Sequence, residues 1–275
     1  MRKLLYVLGA ASAISAAVVS CGAAGQPDGV KTIDLDGLRV TWIRDNAEPR
    51  LMERSLFPDA SDSLMASLGL NDGVPASVSV FLVEKEGRYL LFDTGLGMPG
   101  SGLLPSLHSL GLAPEDIDCI FLTHFHGDHI GGMIGEGGEA VFPDADVYVP
   151  EVEYDEWMAM PVEKKGQVVA VMDCYEDRLH KFGYADDLPC GVKPIAAPGH
   201  TPGHTLYQIG RLLVVGDLVH GAALQLVHPE ICALYDMDPN QAAATRVSIL
   251  DYARQGKFVM GGMHFPEPAF IFPEQ

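Results

Sequence analysis

The stretch THFHGDH, Thr123 to His129, constrains this chain more than any other, because it puts three of the ten histidines and one aspartate into seven residues. It follows the apolar run CIFL, so His124 is expected at the end of a buried strand with the polar cluster in the loop beyond, where sites are commonly built. His124 and His126, two apart in extended chain, point the same way. Gly127 then allows a turn that aims Asp128 and His129 elsewhere. Neutral imidazole is the commonest ligand of zinc and related ions, and aspartate adds a hard anionic oxygen. The loop therefore offers two ligand pairs facing two points.

Three later stretches each deliver a ligand type after an apolar, strand-like run: APGHTPGH (Ala197 to His204), VVGD (Val214 to Asp217) and GGMHF (Gly261 to Phe265). The remaining elements alternate. Strands are expected at Leu38 to Ile43, Ser77 to Val83, Tyr89 to Phe92, Cys119 to Thr123, Asp146 to Val149, Thr205 to Ile209 and Arg211 to Val215. EKEGR (Glu84 to Arg88) and IGR (Ile209 to Arg211) read as hairpin turns, which require antiparallel neighbours. Helices are expected at Gly102 to Leu110, Glu151 to Met160 and Glu163 to Phe182. Another begins at Asp238, where DPNQ offers an N-cap, Pro239 in the first turn and Gln241 to complete a capping box. Residues 49–75 read as an irregular excursion of the kind that covers binding sites.

With LFDTG (Leu91 to Gly95) placed before it, the ordered pattern HxHxDH, His, Asp, His resembles the metallo-β-lactamase-fold hydrolases over nearly the whole chain after its leader. The resemblance implies an α+β fold, a four-layer αββα sandwich of two mixed sheets flanked by helices, as a single domain over residues 30–275. Carried over residue by residue, it makes His124, His126 and His200 the ligands of one metal and Asp128, His129 and His264 those of a second, with Asp217 bridging. Asp93 would support the metal loop. His126 stands where the oxygen-reducing diiron branch has Glu, and the absence of Cys at the second site separates the chain from the zinc β-lactamases. The stretch from Val214 to Arg246 looks most like the methyl parathion hydrolase branch, a sister of the metal-dependent lactonases. His220 occupies the position where many lactonases carry Tyr. It is either a donor to a substrate oxygen or a packing residue beneath the metals.

The implied chemistry is hydrolysis by a hydroxide shared between two divalent ions, zinc first, with manganese, iron and cobalt served by the same ligands. Asp128, Asp217 and His220 are the catalytic candidates. The bond opened would be of ester type, in a lactone or a phosphotriester-like compound. β-Lactam hydrolysis and a non-catalytic metal- or ligand-binding lipoprotein are the alternatives. His204 and His228 are expected to be structural.

The start of the chain carries a separate message. Met1-Arg2-Lys3 precedes an apolar, alanine-rich run from Leu4 to Val19 that ends at VVSCG. This reads as a signal peptide over residues 1–20, with a resemblance to the bacterial lipobox that implies a lipid on Cys21, then a linker over 21–29. Ordinary cleavage near Ala23-Ala24 is the other outcome. Either way the protein is expected in the bacterial cell envelope, with a membrane anchor, a small-molecule substrate and room for a homodimer as its partnerships. Loss of Arg2 and Lys3 takes the formal charge from -19 to -21. Such a surface disfavours nucleic acid and favours a neutral or cationic substrate, unless local pocket charge overrules it. Cys119, Cys174, Cys190 and Cys232 match no metal spacing. Cys174 and Cys190 are the nearest pair for a disulfide, with buried free thiols as the alternative.

Overall fold

The computed structural model describes residues 27–273. The leader, Cys21 and most of the linker lie outside the described residues, and no described helix is long and apolar enough to cross a membrane.

The chain opens with β1 (Val30–Leu35) and β2 (Leu38–Arg44), then makes the excursion through β3 (Arg50–Met52), α1 (Asp62–Ser67) and β4 (Val74–Ala76). Next come β5 (Ser79–Lys85), β6 (Arg88–Phe92), α2 (Leu103–Ser109), β7 (Cys119–Phe121), α3 (Gly127–Ile130), β8 (Asp146–Pro150), α4 (Glu151–Ala159), α5 (Val162–Cys174) and β9 (Leu179–Phe182). The second half holds β10 (Lys193–Ala196), β11 (Thr205–Ile209), β12 (Leu212–Val214), α6 (Ala222–Gln225), α7 (Pro239–Gly256), β13 (Val259–Gly261) and β14 (Phe270–Ile271).

These strands form a seven-stranded sheet in the order β1-β2-β5-β6-β7-β8-β9 and a five-stranded sheet in the order β10-β11-β12-β13-β14. Both are mixed. The turn between β5 and β6 places Glu86 and Gly87 at positive φ, which suits a two-residue hairpin. From β6 to β9 the first sheet runs parallel.

Strand alternation sorts the first sheet's side chains between two cores. Trp42, Phe81, Phe92 and Phe121 face the second sheet, where Tyr207 closes the aromatic cluster at 5.6 Å from Phe92 and 5.4 Å from Phe121. Ile43, Val80, Leu91 and Ile120 face the helices, meeting Leu107 of α2 and Val171 of α5. Ile249, Leu250 and Ala253 of α7 join the second sheet's core. Helix, sheet, sheet and helix thus stack in four layers, the αββα sandwich that the sequence resemblance implies.

Two local expectations need correction. The helix read over Glu163 to Phe182 stops at Cys174, and Leu179–Phe182 is instead an edge strand, because its backbone pairs in parallel with Val147 to Pro150. The capping box at Asp238 is half formed: Asp238 accepts from the Gln241 N–H at 3.0 Å, while the Gln241 amide turns to Thr245 Oγ1 at 3.1 Å. Of the two outcomes open for the cysteines, the structure has the free thiols: Cys119 and Cys232 are buried and Cys174 and Cys190 half-buried.

The excursion folds as its own small unit. β3 pairs with β4, and Phe57, Met65 and Val74 pack against Leu224 of α6 in a third cluster. Phe57, Leu224 and Phe270 are buried core residues.

Candidate metal centre

The ligand residues come from strand ends and the loops after them. His124 to His129 follow β7 and enter α3, His200 lies between β10 and β11, Asp217 follows β12 and His264 follows β13. The approach of these loops imposes a tight turn at Gly216, φ 48°, where a Cβ would stand 2.5 Å from His204 Nε2. His204 has a full set of partners: its Nδ1–H donates to the Ala197 carbonyl at 3.1 Å and its Nε2 accepts from the Asp217 N–H at 3.0 Å. It holds the Asp217 backbone and is no ligand.

His124 Nε2, His126 Nδ1 and His200 Nε2 converge at mutual distances of 3.0, 2.9 and 3.1 Å. The other ring nitrogens decide what these atoms are. Thr123 Oγ1 gives its proton to Asp93 Oδ2 at 2.7 Å and accepts from His124 Nδ1 at 3.0 Å, and His200 Nδ1 donates to Asp236 Oδ1 at 3.1 Å. The two Nε2 atoms therefore present lone pairs to each other, an unfavourable contact unless a cation stands between them. Burial holds these rings neutral: it drives His200 down to about 3, His126 to about 4 and His124 well below the usual histidine value.

The second group is built the same way. His129 Nδ1 donates to Asp93 Oδ2 at 2.7 Å and His264 Nδ1 donates to the Ser77 carbonyl at 2.8 Å. Their Nε2 atoms then face Asp217, at 3.1 Å from Oδ1 and 2.9 Å from Oδ2. A lone pair against a carboxylate requires a proton or a metal ion. Accordingly, Asp217 and its neighbouring carboxylates outweigh burial and raise both histidines, and His129 and His264 hold buried Asp217 well below the usual carboxylate range. Asp128 completes this group, with Oδ1 3.8 Å from His129 Nε2 and Oδ2 3.6 Å from His264 Nε2.

Asp217 reaches both groups, since its Oδ2 also lies 3.3 Å from His200 Nε2. His129 Nε2 and Asp217 Oδ1 are buried with no hydrogen-bond partner. The residues fit two divalent ions: His124, His126, His200 and Asp217 at one point, and Asp128, His129 and His264 with Asp217 at the other. Nitrogen and oxygen donors without sulfur suit zinc and equally suit manganese, iron or cobalt.

His220 is fully buried, its ring stacked on His264 at 5.4 Å and its Nε2 3.3 Å from Asp217 Oδ2. It reaches the centre through Asp217 and does not line the pocket. His228 is half-buried and faces Glu230.

A pocket of about 570 Å³ opens over the centre, lined by His126, Asp128, His200, Asp217 and His264 and, from outside the ligand set, Arg50, Met52 and Tyr235. The excursion thus covers the site, as its length suggests.

Sequence reasoning missed the supports. Asp236, fixed by Arg246, orients His200. Glu153 accepts from Phe125 N, Trp157 Nε1, Thr201 Oγ1 and Gly203 N, tying the loop of His124 to that of His200. Glu153 sits among Glu151, Asp155 and Glu156, and Asp236 two residues before Asp238, so nothing in the sequence singles out either acid.

Two ligand groups sharing one aspartate, at the strand ends of two facing sheets, define a metal-dependent hydrolase. The family model of the metallo-beta-lactamase superfamily matches residues 73–261, and the chain belongs to that superfamily. It is 30% identical over 141 residues to the hydroxyacylglutathione hydrolase of Edwardsiella ictaluri (strain 93-146), an alignment covering 51% of this chain and 46% of that protein. It is 26% identical over 151 residues to the anti-Pycsar protein Apyc1 of Paenibacillus sp. (strain J14), covering 52% and 58%. The chain thus spans about half the length of these curated relatives. Among solved structures, AidC, a dizinc quorum-quenching lactonase, superposes with TM-score 0.80 at 25% identity, covering 90% of this chain and 98% of that one. The hydrolase AbOPH superposes with TM-score 0.80 at 27% identity, covering 91% and 99%.

Proposed function

We propose that this protein is a dinuclear metallohydrolase that opens an ester-type bond, in a lactone or a phosphotriester-like compound. The observation that carries this reading is the reach of Asp217, whose two carboxylate oxygens face His129 on one side and His200 and His264 on the other. When bound, two divalent ions supply Lewis acidity and an acidified water. The chain's own residues do the rest. Asp217 holds the two ligand groups in register, and Asp128, whose side chain is 28% exposed to the pocket, takes and passes the proton. His220 lies beneath Asp217, its Nε2 3.3 Å from Oδ2, and its imidazole limits how the carboxylate can turn. The dizinc lactonase AidC, similar over 90% of this chain, supports the lactone reading.

The experiment is turnover of a lactone, a phosphotriester and a β-lactam at equal concentration by the metal-loaded protein. Preference for the lactone or phosphotriester, abolished in Asp217→Ala, is expected. Preference for the β-lactam, or no turnover with two metals bound per chain, overturns the reading.

The basic start, the apolar run and Cys21 support export and lipid attachment in the cell envelope. Incorporation of labelled palmitate, lost in Cys21→Ser, tests this.

A further inference from the structure

This chain carries 37 acidic and 18 basic residues, so an arginine on its surface finds a carboxylate easily. Every other described arginine, from Arg39 with Glu84 to Arg254 with Asp251, has a carboxylate within 4.0 Å. Arg50 has no ion pair among the described residues. It is also the arginine that lines the pocket over the metal centre. β3 places it there: Arg50 and Met52 share one face of the strand, toward the site, and Leu51 points away and is 54% exposed.

The charges around Arg50 point the same way. The only carboxylates lining the pocket are Asp128 and Asp217, both in the ligand set. With two divalent ions bound, the positive charge of the centre exceeds those two carboxylates, and Arg50 adds to the excess. A pocket of one sign focuses its field in a way the net charge of the whole chain does not cancel. Whole-chain charge favours a neutral substrate; the local arrangement opposes that.

We propose that Arg50 is the anion anchor of the substrate site: the molecule cleaved carries a carboxylate apart from the bond that is broken, and that carboxylate docks on Arg50. The inference rests on the hydrolase reading of the same site and names its substrate class. A guanidinium suits this role because its fork matches a carboxylate bidentately.

The test compares two esters that differ in one charge, mono-4-nitrophenyl adipate and its methyl ester, with the metal-loaded protein. The free acid is expected to exceed the methyl ester in kcat/KM by about tenfold or more, the order a charge-assisted contact gives. Arg50→Leu removes most of that ratio and Arg50→Lys keeps part of it. Arg178→Leu, an equal change of net charge at the Arg178–Asp144 surface pair, leaves it unchanged. Equal kcat/KM for the two esters, or a ratio that survives Arg50→Leu, overturns the anchor while the hydrolase reading stands. If neither ester turns over, calorimetric binding of adipate decides: about tenfold weaker binding to Arg50→Leu than to wild type supports the anchor, and equal binding overturns it.

Discussion

Asp236 and Arg246 form a fully buried ion pair, 3.0 Å between Oδ2 and Nη2, one step behind the metal centre. Asp236 turns its other oxygen to His200 Nδ1 at 3.1 Å, and Arg246 spends its remaining donors on the carbonyls of Leu218, Pro229 and Ile231. Burial raises the Asp236 carboxyl, but His200, His220 and Arg246 outweigh it and hold the group at about 2. The pair thus links α7 to the loop after Asp217 and fixes the ring that offers Nε2 to the metal. Arg246→Met leaves a buried carboxylate unpaired, which costs about 3 to 5 kcal/mol. Urea unfolding is expected to show a loss of that size. Zinc affinity, measured against a competing chelator, is expected to fall about 10- to 100-fold through the misoriented His200.

Gly216→Ala tests the turn that presents Asp217. The new Cβ would meet His204 Nε2 at 2.5 Å and Thr123 Cβ at 3.0 Å, in a left-handed conformation with φ 48°. Neither neighbour can retreat, since His204 holds the Asp217 N–H and Thr123 is bonded to Asp93. Strain of about 1 to 3 kcal/mol is expected from the backbone alone. Metal analysis of the purified variant is expected to find fewer than two ions per chain, because displacement of Asp217 affects both ligand groups.

The ligand set was legible in sequence because polar groups that end apolar strands interrupt a simple pattern. Residues 124, 126, 128, 129, 200, 217 and 264 stand out against CIFL, VV and the run before GGMHF, and the structure brings them together. The supports were not legible. Whether Glu153 or Asp236 is buried depends on which loops close over it, and that is a tertiary fact. The run from Val168 through Val171, Met172 and Tyr175 to Leu179 has helical spacing throughout, yet its last part becomes a strand. Pairing with β8 outweighs periodicity there. Arg50 was invisible for a related reason, since nothing in its neighbourhood of sequence marks it as the arginine left without a carboxylate.

Glu153 predicts a pH dependence. Burial pushes its carboxyl up from 4.5 to about 7, against the four donors that favour the charged form. The folded protein therefore holds this proton more tightly than the unfolded chain. Its stabilising contribution is complete below pH 4.5 and is lost as pH rises through 7. Between pH 5 and 8 the wild type is expected to lose about 2 to 3 kcal/mol relative to Glu153→Gln, which cannot titrate. Denaturant unfolding of both proteins across that range checks it. Parallel curves would show that the four donors keep Glu153 ionised throughout.

His220 sets stability against function. Its two ring nitrogens are buried without a hydrogen-bond partner, although Nε2 lies 3.3 Å from Asp217 Oδ2. Two unsatisfied polar atoms in a buried ring cost folding free energy, and a side chain of similar volume without them does not carry that cost. His220→Leu is therefore expected to stabilise the metal-free protein by about 1 to 2 kcal/mol in urea unfolding. The same change removes the ring nitrogen that lies 3.3 Å from Asp217 Oδ2 and the ring stacked on His264. With two metals still bound, kcat is expected to drop about 10- to 100-fold, the range that loss of an orienting partner produces. A variant that is less stable and equally active would show that His220 is a packing residue alone. A more stable and slower one would show that its unpaired nitrogens are kept for Asp217.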